Sequence, residues 1–192
     1  MLRDVLKAGM TKSEIEQFLK SKGDYVQIDH LGRFLKEPLH MEIKKFVFLK
    51  LAVLYEKAKM FNEAAKMYNN VADLSIPFVE KINYHMKEAE LYSRIGAFDR
   101  VELAMKKAMS QANSREKEEI YASVKQFYKE QAKANETLLK RNQAIKFYEK
   151  ILEMRSSEQE RAEIKQKLMD LYKKVGKLHE YSAVERSFGQ NA

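Results

Sequence analysis

"LYEKAKMFNEAAKMY", residues 54–68, is the stretch on which the reading of this 192-residue chain turns. Its opening returns as "LYSRIGAFDRVELAM" at 91–105 and as "LYKKVGKLHEYSAVE" at 171–185. Six residues after the tyrosine each stretch places a large apolar side chain: Phe61, Phe98 and Leu178. With Phe127-Tyr128 added, the tyrosines Tyr55, Tyr92, Tyr128 and Tyr172 stand 37, 36 and 44 residues apart. A period in this range marks stacked helical hairpins, because one hairpin cannot bury its apolar face without a neighbour.

The rest of the chain is written in helix-forming residues. Two prolines and six glycines interrupt a sequence rich in Ala, Leu, Lys, Glu, Met and Gln, side chains that lose little rotamer freedom in a helix. An all-α fold follows. The overlapping boxes Thr11-Lys-Ser-Glu14 and Ser13-Glu-Ile-Glu16 predict a helix over about 12–22, ended by Gly23-Asp24. "YVQIDHLGRFLKEP", residues 25–38, predicts a short extended piece and then a short helix that stops before Pro38. Phe48, Leu51, Ala52 and Tyr55 make one apolar helical face, and Ala64, Ala65, Tyr68, Val71 and Ala72 make the next. Asn62, Asp99, Asn113 and Ser157 are the expected caps, Pro77 restarts a helix, and Gly96 and Gly176 end helices.

Several function classes fall away. The apolar run around Phe46–Tyr55 is broken by Lys50 and is far short of the ~20 residues of a bilayer span. The first ten residues place an acid beside a base and lack the apolar core of a secretory signal. With no cysteine there are no disulfides and no thiolate chemistry, so a cytoplasmic address is expected. The four histidines are scattered, no H-E-x-x-H occurs, and neither glycine-rich phosphate loop is present. No metal, no cofactor and no catalysis is therefore expected. His85 lies on a packing face and reads as a satisfied buried histidine. The net charge of +8 is spread: 12 bases against 8 acids over 1–60, 7 against 7 over 61–112, and 17 against 13 over 113–192.

The helix-turn-helix unit, with small residues where its helices cross, resembles the tetratricopeptide repeat over roughly residues 45–188. In the first unit Phe48, Leu51, Ala52, Tyr55, Ala64, Tyr68 and Val71 fall at the signature spacings, with Pro77 where the closing proline belongs. The second keeps Ala89, Tyr92, Gly96, Phe98 and Ala108 but has Glu88 for Leu. The third fits its first helix with Tyr121, Val124 and Tyr128, and its second-helix residues Ala144, Tyr148 and Ile151 arrive about seven residues late. The fourth keeps Leu168, Tyr172, Gly176 and Leu178. These departures also suit a relative with longer hairpins, such as the SNAP-like solenoids.

The resemblance implies a short right-handed α-solenoid of about four antiparallel hairpins over 39–192, behind a helical N-terminal extension over 1–38. It also implies a non-catalytic interaction scaffold that binds a peptide or partner protein in a concave groove. By resemblance the groove is lined by Lys50 and Lys57, by Lys87 and Arg94, and by Lys167 and Lys174, each pair two helical turns apart. The third unit breaks that ladder with Ser123 and Glu130. A basic groove suits an acidic peptide or a terminal carboxylate. The competing reading is a solvated face, with Glu90 and Asp170 pairing their neighbours. Leu49 and Val53 stand where the family's carboxylate clamp carries Lys and Asn; with Phe46 they suit a partner helix or a packed N-terminal segment instead. The extension either fills the groove or caps the open end. Residues 132–142 add either one turn to each helix or a protruding tip. The reading from another class is a helical-repeat RNA-associated protein that uses the scattered bases.

Overall fold

The computed structural model describes residues 5–189. Among them are ten helices and no strand: α1 (Lys12–Leu19), α2 (Asp24–Phe34), α3 (Met41–Lys57), α4 (Phe61–Leu74), α5 (Phe78–Arg94), α6 (Phe98–Ser110), α7 (Ser114–Thr137), α8 (Arg141–Glu153), α9 (Glu158–Val175) and α10 (Leu178–Gly189). None of these helices is long and apolar enough to cross a membrane. Two compact units divide the chain, residues 1–120 and 121–192, with the boundary inside α7.

In the first unit α3 packs on α4, α4 on α5 and α5 on α6. Small residues permit the close approach: Ala52, Ala64, Ala65, Ala72, Ala89, Ala104 and Ala108 are fully buried. The N-terminal extension belongs to this unit and is not a separate body. Leu6, Ile15, Leu19, Leu31 and Phe34 form one core with Val47, Leu51 and Leu54 of α3. Lys45 and Glu56, which lie roughly 160–180° around α3 from Val47 at 100° per residue, turn instead to Glu80 and Lys87 of α5. The extension therefore caps the side of α3 opposite α5 and leaves Val53 57% exposed. In the second unit α8 packs on α9 and α9 on α10, around Ile145, Phe147, Ile151, Ile164, Leu168 and Leu171.

Every hairpin turns in the same way. A residue in the left-handed region, Lys59 (φ 58°), Gly96 (φ 68°), Leu139 (φ 56°) or Gly176 (φ 76°), follows the first helix. The next residue then donates its N–H five positions back: Met60 to Tyr55 O (2.8 Å), Ala97 to Tyr92 O (3.0 Å), Lys140 to Asn135 O (2.8 Å) and Lys177 to Tyr172 O (2.9 Å). This is the Schellman closure, which satisfies carbonyls that a helix end would otherwise leave without a donor.

That geometry corrects several expectations. Residues 25–28 are helical and not extended: Leu31 and Phe34 continue an apolar face begun at Ile28, and this period outweighs the strand preference of Val26 and Ile28. The first helix ends at Leu19, and Gly23 is the N-cap of the second. Asn62 and Asp99 do not cap; α4 and α6 begin at Phe61 and Phe98 straight after the turn, with no side-chain cap at all. In the third hairpin Asn135, not Tyr128, is the counterpart of Tyr55, Tyr92 and Tyr172. Helices α3, α5 and α9 start eighteen residues before their left-handed residue, whereas α7 starts twenty-five before. The additional length thus lies at the N-terminal end of α7. Residues 132–142 are ordinary hairpin and neither a lengthened pair nor an inserted tip.

Candidate functional site

Helices α3, α4 and α5 carry a polar arrangement that recurs eighty residues on in α7, α8 and α9. Lys45 of α3 pairs with Glu80 of α5, and Lys125 of α7 pairs with Glu160 of α9 at 2.9 Å. Tyr68 donates its hydroxyl to Glu56 at 2.7 Å, and Tyr148 donates to Glu136. Lys87 lies 3.4 Å from Glu56, and Lys167 lies 3.7 Å from Glu136. The second compact unit begins at Tyr121, the counterpart of Met41 at the start of α3. Residues 41–109 and 121–189 are two editions of one design.

Burial first, and then the hydrogen bond to a carboxylate, push the hydroxyls of Tyr68 and Tyr148 well above the usual tyrosine range; burial, and then the bond to Glu149, do the same for Tyr172. The α5–α6 hairpin lacks the tyrosine–glutamate bond. Ser93 and Met105 stand where Glu56 and Tyr68 would, and the buried Ser93 hydroxyl has no partner. His85 is buried and satisfied, its Nδ1 3.1 Å from Glu88 Oε2. Glu88, which replaces an expected Leu, also lies 3.6 Å from Lys107 of α6.

Acids accompany most of the bases that the resemblance assigns to the groove. Lys50 pairs with Glu16 of α1 (2.6 Å) and Lys57 with Asp24 of α2 (2.7 Å), partners the repeat pattern does not reveal. Lys87 and Arg94 share Glu90 at 3.0 and 2.6 Å, as the solvated-face reading expects. Asp170 does not repeat this, accepting instead from Gln166 at 3.4 Å. Lys174 is exposed. Leu49 is half-buried beside the exposed Val53. Counted back from the turns, the third-hairpin counterparts of Lys50 and Lys57 are Glu130 and Thr137, so Ser123 is not a ladder position.

In the second unit the same face opens into a cleft of about 620 Å³. Tyr148 and Ile164 line its floor, and Lys129, Lys133 and Lys167 stand around it with Glu136 and Glu160. The first unit shows why it is open. There Tyr84, the counterpart of Ile164, stacks on Tyr68 with ring centroids 6.1 Å apart. With isoleucine in place of that ring the cleft stays open beside Tyr148, over whose ring Lys167 Nζ lies 5.7 Å from the centroid. Lys129 and Lys133 likewise stand where the first unit has Leu49 and Val53. Sequence reading missed this site because the tyrosine series sets the third hairpin seven residues out of register; the eighty-residue match of Ala52, Glu56, Ala64, Lys66 and Tyr68 with Ala132, Glu136, Ala144, Lys146 and Tyr148 is the signal that finds it.

No family model matches this chain, and neither a curated protein nor a solved structure matches it.

Proposed function

We propose that the chain is a tetratricopeptide-like α-solenoid and works as a non-catalytic scaffold that holds a peptide of a partner protein. The observation that carries this reading is the cleft of the second unit: an aromatic and aliphatic floor beneath three lysines, two of them where the first unit has apolar residues. Such a site suits a short acidic segment with one apolar side chain seated over Tyr148 and Ile164, its carboxylates taken by Lys133 and Lys167 in charge-assisted bonds. Lys129 is held at 2.5 Å by Glu160 and Lys167 lies 3.7 Å from Glu136, so Lys133 is the best contributor of the three. The ladder Lys50, Lys57, Lys87 and Arg94 supplies less, since each side chain already faces a carboxylate.

Selection from a displayed peptide library tests this. The wild-type chain should enrich acidic peptides with a fixed apolar position. Ile164→Tyr, which installs the ring present in the first unit, should abolish the enrichment with the helical signal intact. Failure of the wild type to enrich any consensus, or an unchanged consensus from Ile164→Tyr, would overturn the cleft as the binding site. The RNA-associated alternative rests on the charge of +8 and predicts retention of single-stranded RNA that falls steeply as salt rises.

A further inference from the structure

The turn edge of the second unit, where α7 meets α8 and α9 meets α10, carries three large apolar side chains in water. Leu138, Leu139 and Leu178 are 64%, 71% and 66% exposed. The two turns share one edge because α7 and α9 run side by side in the same direction, tied by Lys125–Glu160 at one end and Lys167–Glu136 at the other. Leu139 is also conformationally costly: it holds φ 56°, a region that glycine enters freely and that the turns at Gly96 and Gly176 fill with glycine. A strained, exposed leucine beside a second exposed leucine is not what folding selects.

Bases surround these leucines. Lys133, Lys140 and Lys174 are exposed and Arg141 is partly so, and among the described residues none of the four is held by a carboxylate. Lys173 and Lys177 add to the same edge, Lys177 lying over the Tyr172 ring. The acids there are Glu136, already bound by Tyr148 and Lys167, and Glu180. The first unit offers an internal comparison. At its turns Lys57 and Arg94 are taken by Asp24 and Glu90, and the apolar residues Met60 and Ile95 are less exposed.

We infer that this edge docks on the surface of an anionic lipid bilayer, with Leu138, Leu139 and Leu178 entering the headgroup layer and the lysines and Arg141 resting against lipid charge. The leucines sit at the apices of turns and not in a concavity, so they suit a soft apolar layer more than a protein ridge. An apolar layer beneath a negative surface is what a bilayer presents, and neither contribution holds a chain firmly without the other.

Co-sedimentation of the full chain with vesicles tests the inference. The chain should bind vesicles of phosphatidylcholine mixed with phosphatidylserine and not vesicles of phosphatidylcholine alone. Leu138→Asp with Leu139→Asp, both exposed and so tolerated by the fold, should weaken binding by roughly tenfold or more. Lys140→Glu with Arg141→Glu should weaken it by a similar factor. Leu139→Gly separates function from folding: it should raise the thermal midpoint by relieving the turn and lower vesicle binding. Absence of binding to anionic vesicles at low salt would overturn the inference. So would leucine variants that bind as the wild type does, since charge alone would then be acting.

Discussion

Glu160 receives Lys129 at 2.5 Å and Lys125 at 2.9 Å, and these hydrogen bonds, that from Lys129 foremost, bring its carboxyl down to about 2. A carboxyl depressed on folding stabilises the native state above its unfolded value, and that stability disappears as pH falls through the folded value. At neutral pH Glu160→Gln should therefore lower stability by about 1 kcal/mol, a figure reduced for the remaining contact with water. The gap between wild type and variant should close between pH 4.5 and about 2. Denaturant titration at a series of pH values checks this, and a gap independent of pH would show that the lysines do not hold the carboxylate. At the same scale Tyr84 and Ile164 decide whether the space over a buried tyrosine is filled or open, a difference between two side chains with no effect on the helices that bear them.

Among the elements, the hairpin turn is the unit most open to test. Four left-handed positions are filled by Lys, Gly, Leu and Gly. Gly176→Ala should cost about 1 kcal/mol, all of it from the backbone, since nothing lies within 4 Å of the added Cβ. Lys59→Gly should gain up to about 1 kcal/mol at an equivalent backbone position. Thermal midpoints of the two variants should therefore move in opposite directions; movement in the same direction would mean that the turns are not equivalent. Helix ends with a side-chain signal were legible in the sequence. Thr11 with Glu14, Asn113 with Glu116 and Ser157 with Glu160 all form the expected caps, and Gly176 closes α9 with positive φ. The starts of α4 and α6 were not, because the closure there is made by the backbone of the preceding helix, and a backbone bond leaves no residue type to read. The third hairpin was misplaced for a related reason. Phe127-Tyr128 imitates the Leu-Tyr landmark one heptad early on a helix whose face repeats nearly every seven residues, so the false register buries almost the same side chains as the true one.

For the whole molecule, the eighty-residue correspondence matters more than the count of hairpins. The ion pair of Lys45 with Glu80, the bond of Tyr68 to Glu56 and the approach of Lys87 to Glu56 each recur in the second unit, which shows that these contacts belong to the design and not to chance surface pairing. What differs between the editions is then where separate roles are to be sought: Ile164 for Tyr84, Lys129 and Lys133 for Leu49 and Val53, Leu138 and Leu139 for Ala58 and Lys59. The acids of the extension, Glu16 and Asp24, have no counterpart before the second unit and could be recognised only once α1 and α2 lay against α3.

The aromatic ring that plugs one socket and is missing from the other sets a stoichiometry. A ligand of the open socket should saturate at one equivalent per chain in calorimetric titration. Tyr84→Ile, which unplugs the first socket over Tyr68, should admit a second, weaker equivalent, because Leu49 and Val53 offer it no lysine. Under the proposed function a single polypeptide holds both a receptor site and its own blank.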